Sequence, residues 1–251
     1  MGRYGKSINN YIEEISGYKL IPEQIECLNF LKDLDKKQQI ISAGRGFSKT
    51  MLSSGTVMWF ADEYASYKHV DLEILLISSQ QRMYYHLNKF FSDNKERFGY
   101  NEETKKFSRL KQGGIYDALL KEKTELYSQD GDNVTAIYPC MSTSKSVRSH
   151  RADIVIIDEA AEIKKEVIIA AVGCLEGDIS KLLMISTPHI AESYFVEVVT
   201  DPKKYGFESF TASSEICEWR KESNKIAKGM LTVAEYAAEI LGRPPTLDER
   251  S

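Results

Sequence analysis

The chain has 251 residues, of which 42% are hydrophobic and 28% are charged, the balance of a folded globular protein. Its formal net charge of −4 argues against a protein that binds nucleic acid over its whole surface, but allows a local basic patch. The four scattered cysteines disfavour a zinc site. Because the sequence has neither a membrane-spanning segment nor a signal peptide, we expect a cytoplasmic protein with no membrane partner.

Short apolar runs alternate with longer segments along the chain, and this alternation predicts the fold. Most runs have a core of isoleucine, leucine or valine that is apolar on both faces, which is typical of strands buried in a parallel sheet. The longer segments have helical spacing, so we expect an α/β fold with helices on both faces of a mainly parallel sheet. The predicted strands cover residues 38–43, 73–78, 134–138, 153–158 and 181–186. The predicted helices cover residues 22–34, 48–67, 80–98 and 164–175.

The first predicted helix begins at Pro22 and carries Gln24. A glutamine amide has one acceptor and two donor hydrogens, which can pair with the N6 and N7 edge of adenine. We therefore predict an adenine-contact segment over residues 8–34, with Gln24 as the contact. The alternative is an exposed glutamine in a helix started by proline.

The first predicted strand leads into SAGRGFSKT at residues 42–50, a variant of the phosphate-loop (Walker A) pattern G-x-x-x-x-G-K-[ST]. Ala43 and Ser48 stand where the pattern has glycine. In such loops backbone N–H groups surround the phosphates, a lysine reaches the β- and γ-phosphates, and a hydroxyl holds Mg²⁺. Lys49 and Thr50 occupy the last two positions, and Arg45 can reach the γ-phosphate or a neighbouring carboxylate. The predicted phosphate-binding residues are Gly44, Arg45, Gly46, Phe47, Ser48, Lys49 and Thr50. The alternative is a glycine-rich turn before a helix, with a solvated lysine.

The region between the second and fourth strands departs from the alternation. Asp130-Gly131 is a turn signal between two short runs, and predicts an inserted β-hairpin near residues 124–138. The preceding segment, 104–123, is polar and basic. Its cations include Lys105, Lys106, Arg109 and Lys111, for each of which a solvated charged face is the simplest interpretation.

The fourth predicted strand ends in Asp158 and Glu159, the pattern of a Walker B motif. A buried strand places such a pair at the carboxyl edge of the sheet, where ligands bind in open α/β folds. Asp158 is predicted to hold Mg²⁺, and Glu159 to orient or deprotonate an attacking water. Acids in the first turn of a helix are the alternative. The acidic pair and the phosphate loop together favour nucleotide hydrolysis.

The fifth predicted strand ends in Ser186 and Thr187. A polar strand end beside an acidic strand can sense the γ-phosphate in motor ATPases. An ordinary strand exit is the alternative, because Ser-Thr-Pro is common in turns.

Taken in chain order, Gln24, residues 44–50, residues 154–159 and Ser186-Thr187 resemble the ATPase domain of the terminase large subunit. That subunit is the DNA-packaging motor of tailed bacteriophages and related viruses. The resemblance implies a P-loop NTPase fold of the additional-strand (ASCE) type, with residues 1–241 as the ATPase domain and 242–251 as a linker or tail. Full members carry a nuclease domain after this one. Since the chain ends near the expected junction, we expect it not to cleave DNA.

The resemblance also implies roles for the site residues, with ATP and Mg²⁺ as the cofactors. Glu159 becomes the catalytic base, and Ser186 and Thr187 the coupling motif. In this family an arginine shortly before the acidic strand can act on the ATP of a neighbouring subunit. Arg148 is the favoured candidate, with Arg151 and Arg45 as alternatives.

The implied partners are double-stranded DNA, held without sequence preference, a homo-oligomeric ring on a portal, and the small terminase subunit, all in the host cytoplasm. The candidates for contacts with DNA phosphates are then Lys105, Lys106, Arg109 and Lys111. Two other functions remain open at this stage. One is a helicase-like DNA-dependent ATPase, although the chain is short for two α/β lobes. The other is a nucleotide-binding switch or assembly protein with little hydrolysis, which would not need Glu159 beside Asp158.

Overall fold

The structure is a computed structural model that describes residues 6–79, 82–104, 106–110 and 123–250. The described strands are β1 (Gln38–Ala43), β2 (Leu72–Ser78), β3 (Tyr100–Asn101), β4 (Lys106–Phe107), β5 (Thr124–Tyr127), β6 (Val134–Met141), β7 (Ile154–Asp158), β8 (Lys181–Ser186) and β9 (Glu208–Ala212). The described α-helices are α1 (Ile8–Ser16), α2 (Pro22–Leu31), α3 (Lys49–Trp59), α4 (Ala65–Lys68), α5 (Arg82–Asp93), α6 (Ser144–Val147), α7 (Lys165–Val172), α8 (Tyr194–Thr200), α9 (Lys221–Met230) and α10 (Val233–Glu239).

A seven-stranded sheet in the order β5-β6-β2-β7-β8-β1-β9 forms the centre of the described structure. All neighbouring strands run parallel except β5, which pairs antiparallel with β6. Strand β8 lies between β1, which enters the phosphate loop, and β7, which ends in the acidic pair. This inserted strand is the mark of the additional-strand type, so the predicted fold class is confirmed.

Consecutive residues of the central strands point to opposite faces of the sheet, and both faces are covered. Ile41, Ile74 and Ile156 belong to a core built with side chains from α1, α2, α3 and α5. The residues beside them, such as Ile40 and Ile157, belong to a second core with α7 and α8. Burial on both sides explains why these strands are apolar throughout.

The predicted hairpin is present, with β5 paired to β6 and Gly131 in the turn at φ 82°. Strand β6 continues to Met141, beyond the predicted end at 138. The extension pairs with the last residues of β2, from Leu76 to Ser78.

The predicted helix over 48–67 is one continuous helical segment whose middle, Phe60–Tyr64, is a π-turn. The π-turn contains Asp62, which is fully buried. The Asp62 carboxylate accepts hydrogen bonds from the Tyr11 hydroxyl (2.9 Å), the Arg97 guanidinium (2.8 Å) and Arg109. Arg97 also pairs with Glu63 at 2.8 Å. The network therefore joins α1, the π-turn and the segment after α5.

The structure corrects the expectation that Arg109 is a surface cation, either solvated or in contact with DNA. Its side chain is only 14% exposed and is engaged by Asp62 and by the Tyr127 carbonyl, so Arg109 is a structural residue. Lys106 is exposed on β4, whereas Lys105 and Lys111 lie outside the described residues. Within the described ranges, no helix is long and apolar enough to cross a membrane.

Candidate active site

The carboxyl ends of β1, β7 and β8 meet at one edge of the sheet, as the register shows. Ser42 pairs with Ser186, and Asp158 pairs with Ile185. A cavity of about 810 Å³ opens beside this edge. It is lined by Tyr18, Lys19, Gln24, Arg45, Gly46, Ser48, Lys49, Thr50, Met51, His86, Glu159, Glu162, Thr187, His189 and Trp219. Eight of the predicted site residues are in this lining, which brings segments from far apart in the chain to one place.

The phosphate loop connects β1 to α3 and contains two residues with positive φ. Gly46 has φ 91°, and Ser48 has φ 72° and ψ 29°. Ser48 thus adopts the left-handed conformation at the position where the sequence pattern has glycine. The substitution leaves the loop-to-helix geometry in place and carries a steric cost, because an L-residue is unfavourable there.

The opposite side of the loop is braced by the C-terminal part of the chain. The Gly44 N–H donates to the Ala212 carbonyl (3.0 Å), and the Arg45 N–H donates to the Glu239 carbonyl (2.6 Å). The Ser42 hydroxyl donates to the Gly242 carbonyl (2.7 Å). A Cβ at Gly44 would lie 2.1 Å from the carbonyl oxygen of residue 240, so only glycine permits this approach. Gly242 is itself buried, and the packed part of the chain therefore extends past residue 241.

Lys49 begins α3 and is buried at the floor of the loop. Its ammonium donates to the carbonyls of Ala43 (3.1 Å) and Gly44 (3.4 Å) and to the Thr187 hydroxyl (2.7 Å). Burial lowers the pKa of Lys49, whereas the nearby carboxylates of Glu159 and Asp158 raise it. A phosphate placed here would add negative charge and favour the protonated lysine.

Thr50 and Asp158 form a pair of oxygen groups next to Lys49. The Thr50 hydroxyl donates to Asp158 Oδ2 (3.3 Å). Asp158 Oδ1 is buried and has no hydrogen-bond partner within the described ranges of the chain. Burial, together with the adjacent Glu159 carboxylate, raises the pKa of Asp158 to about 7. A carboxylate oxygen left unpartnered beside a hydroxyl fits Mg²⁺, which binds proteins through one or two carboxylates and takes its other ligands from phosphates and water.

Glu159 follows Asp158 with φ 51° and ψ 46°, a left-handed conformation that is uncommon for glutamate. The turn ends β7 and directs the chain into the short 3₁₀-helix Ala160–Glu162. Glu159 lines the cavity, and the Ser186 hydroxyl donates to its Oε2 at 3.3 Å. Ser186 is buried behind it, while Thr187 reaches the cavity and bonds Lys49. The two strand-end hydroxyls thus connect the acidic pair to the loop lysine.

The three candidate arginines lie in different places. Arg45 lines the cavity, is 70% exposed and pairs with Glu239 at 3.0 Å. Arg148 follows α6 on the surface, outside the cavity lining, and has no ion-pair partner among the described residues. Arg151 is exposed and pairs with Glu176 at 3.3 Å.

Gln24 lines the cavity but is almost fully buried. Its Nε2 donates to the Phe47 carbonyl (3.1 Å), and its Oε1 accepts from the Ile21 N–H (3.2 Å). Gln24 therefore links α2 to the phosphate loop, and contact with adenine stays a prediction. Phe47 is wholly buried in the core, and its N–H donates to the Gly44 carbonyl (3.2 Å). Phe47 therefore anchors the loop, and its contact with a phosphate stays a prediction.

Sequence reasoning missed several residues that line the cavity. His189 contacts the Thr187 carbonyl through Nδ1 (3.0 Å) and approaches Glu162 through Nε2 (3.9 Å). The Ser79 hydroxyl in turn donates to Glu162 (2.5 Å). Trp219 comes from the 3₁₀-helix Glu218–Arg220 and donates its indole N–H to the Gly46 carbonyl (3.1 Å). Glu162 could have been found from the sequence, because it lies three residues after Glu159. No pattern in the sequence near Trp219 indicated its position at the cavity.

Comparison with family models and with curated proteins gives no match. Among solved structures, the large terminase of a thermophilic bacteriophage is similar with a TM-score of 0.65 and 15% identity, over 90% of this chain and 53% of that chain. The same terminase has also been solved with ADP and with ATP-gamma-S. The large terminase of bacteriophage HK97 has a TM-score of 0.63 and 13% identity, over 97% of this chain and 56% of that chain.

The ATPase domain of the Thermus phage P74-26 large terminase has a TM-score of 0.63 and 16% identity, over 93% of this chain and 97% of that chain. The chain thus spans about half the length of the other two terminases, and matches the P74-26 domain along nearly all of its length. Identities this low relate backbones and not activities. This chain has the fold of large terminase ATPase domains.

Proposed function

We propose that this chain is the ATP-hydrolysing domain of a motor that moves double-stranded DNA into a viral procapsid. The observation that carries the proposal is the pairing of Thr50 with Asp158, whose second carboxylate oxygen is buried without a partner. Lys49 and Glu159 lie beside this pair in the same cavity. The shared fold with terminase ATPase domains, and the nucleotides bound in the thermophilic-phage terminase, support the choice of ATP.

In the proposed reaction Lys49 and the N–H groups at the start of α3 hold the β- and γ-phosphates, because the N–H groups of Gly44 and Arg45 donate to the bracing segment. Thr50 and Asp158 hold Mg²⁺, which when bound neutralises charge on the transferring phosphoryl group. Glu159 accepts the proton of the attacking water, and the Ser186 hydroxyl keeps its carboxylate in place. Arg45, or Arg148 from a neighbouring copy, stabilises the charge that develops on the γ-phosphate.

The proposed partners follow from the same assignment. DNA would be held through its phosphates and without sequence preference. A ring of copies on a portal, together with a small terminase subunit in the host cytoplasm, would complete the motor.

The test is steady-state ATP hydrolysis by the wild type and by Glu159→Gln, over a range of protein concentrations with and without double-stranded DNA. Loss of a general base should lower the rate by roughly 10²–10⁴-fold while ATP binding persists. Glu192→Gln, a change of the same chemistry on an exposed loop, is the matched control. Turnover that rises with protein concentration and with duplex DNA supports a motor completed by a neighbour.

Other outcomes separate the alternatives. Stimulation by single-stranded DNA with strand separation would favour the helicase-like function. ATP binding without turnover under every condition would favour a switch. Absence of nucleotide binding would overturn the proposal.

A further inference from the structure

Two exposed aromatic side chains line the cavity. Trp219 is 53% exposed and Tyr18 is 61% exposed. Rings of this size contribute large areas of apolar surface, and proteins normally bury them or use them for binding. A ligand with a flat aromatic part would cover such a surface. The cavity therefore offers a stacking surface in addition to the loop that would hold phosphates.

Trp219 is fixed to the phosphate loop by its hydrogen bond to the Gly46 carbonyl. The segment that carries Trp219 is also anchored to the protein. Cys217 is wholly buried, and the Arg220 N–H donates to the Cys217 carbonyl (2.8 Å). The buried Asn224 of α9 also donates to the Ser214 carbonyl (2.9 Å). The Trp219 ring is thus carried by a supported turn and oriented by the loop itself.

Arg220 lies against the same glycine. A Cβ at Gly46 would be 2.5 Å from the Arg220 Cδ and 2.6 Å from its Nε, so the side chain packs directly on the loop backbone. The Nε atom is buried and has no hydrogen-bond partner among the residues that the structure describes. Within the described part of the chain the guanidinium has no carboxylate partner. A cation placed on a phosphate loop without an acid to pair with is suited to an anionic ligand.

We propose that Trp219 and Arg220 form a clamp over the phosphate loop that binds a nucleoside polyphosphate at both of its ends. Trp219 stacks on the base, and Arg220 pairs with a phosphate oxygen. The inference rests on the proposed nucleotide site and adds residues to it. Because every base has a π-face, stacking on Trp219 tolerates different bases. The clamp therefore contributes affinity for nucleotides more than selection of adenine.

The two tryptophans of the chain make the proposal measurable. Trp59 is 1% exposed in the core, whereas Trp219 borders the cavity. Titration with ADP should quench the tryptophan fluorescence and protect it from acrylamide. Trp59→Phe should retain both effects, and Trp219→Phe should lose them. Protection in the wild type needs no destabilising variant, so the measurement stands even if a substitution at 219 impairs folding.

Binding measurements with two probes separate the two halves of the clamp. Trp219→Ala should weaken ADP binding roughly 5- to 100-fold, the usual effect of losing one base–aromatic stack, and leave binding of inorganic tripolyphosphate unchanged. Arg220→Gln should weaken both probes. Lys221→Gln, a neutralised exposed cation at the next position, is the matched control and should weaken neither.

The clamp would be overturned if Trp219→Ala and Arg220→Gln both bound ADP as tightly as the wild type, and if ADP did not protect the tryptophan fluorescence from acrylamide. That result would leave the proposed nucleotide site unaffected. No binding of ADP or ATP to the wild type would overturn the proposed function together with the clamp. The two failures are therefore distinguishable.

Discussion

Ser48 shows how a single residue sets the geometry of the phosphate loop. Its φ of 72° suits glycine, and a side chain in this conformation costs about 1–2 kcal/mol. A β-branched residue is worse at positive φ. Ser48→Val should therefore have a free energy of unfolding roughly 1–2 kcal/mol lower than Ser48→Gly. Urea unfolding of the two variants checks this. Equal midpoints would mean that residue 48 does not hold the left-handed conformation.

Asp158 is the proposed ligand of Mg²⁺, and a measurement of thermal stability can test this role. Its Oδ1 has no partner, and burial beside Glu159 raises its pKa to about 7. We expect ATP with Mg²⁺ to raise the Tm of the wild type more than ATP with a chelator, because a ligand that binds only the folded state stabilises it. Asp158→Asn should lose that difference. Asp153→Asn, just before the other end of β7, is the control and should keep it. A metal effect that survives in Asp158→Asn would place the ion elsewhere.

At the scale of elements, ion pairs and hydrogen bonds around Asp62 connect the π-turn to neighbouring segments. The Asp62 carboxylate receives hydrogen bonds from Tyr11, Arg97 and Arg109. Asp62→Ala would remove the one carboxylate that Arg97 and Arg109 share among the described residues and leave Arg109 with carbonyl acceptors alone. The loss should destabilise the fold by roughly 3–5 kcal/mol. Glu14→Ala removes a half-exposed partner of Arg97 and should cost below about 1 kcal/mol. Chemical unfolding of both variants makes the comparison. Equal losses of unfolding free energy in the two variants would show that the buried Asp62 network stabilises the fold no more than a half-exposed ion pair does.

Elements that are apolar throughout were predictable, and polar ones were not. The strands β1, β2, β7 and β8 follow from their isoleucine and leucine runs. Strand β9, with the sequence ESFTA, was missed because it lies at the sheet edge and is mostly exposed. The Asp130-Gly131 hairpin was predicted correctly from local turn chemistry alone. Arg109 was predicted to be a surface cation, either solvated or in contact with DNA. Its burial was not foreseen because its partner Asp62 is 47 residues away, and a sequence pattern carries no information on such a pairing.

The residues of the candidate site also fall into those that the sequence predicts and those that it does not. The loop, the acidic pair and the strand-end hydroxyls are contiguous motifs, so their convergence could be anticipated from the parallel sheet. Trp219 and Glu239 reach the loop from the far end of the chain, the first across 173 residues. Tertiary packing alone brings them there.

At the scale of the whole molecule, Lys181 couples stability to pH. It is buried, and its ammonium donates to the carbonyls of Asp33 (2.7 Å) and Lys36 (2.9 Å). Burial lowers its pKa to about 7, against ~10.4 in an unfolded chain. Between these values the unfolded chain holds more protons, so the contribution of Lys181 to stability rises with pH and is lowest below pH 7.

Lys181→Met lacks this titration. The free energy of unfolding of the wild type minus that of Lys181→Met should therefore increase by roughly 2 kcal/mol from about pH 7 to about pH 9. Denaturant curves at several pH values measure the difference, in which groups common to both proteins cancel. A difference that stays constant over this range would show that Lys181 titrates normally in the folded state.

The bracing of the phosphate loop by Glu239 and Gly242 has a consequence for biosynthesis. The Ser42 hydroxyl meets its partner 200 residues later in the chain, and Arg45 meets Glu239 nearly as late. A ribosome makes the loop first, and the segment that braces it follows 200 residues later. Domains fold as units once their distant contacts are available. Nascent chains arrested before residue 239 should therefore carry the whole phosphate-loop motif without its bracing, and should bind ATP more weakly than chains that include residues 239–242.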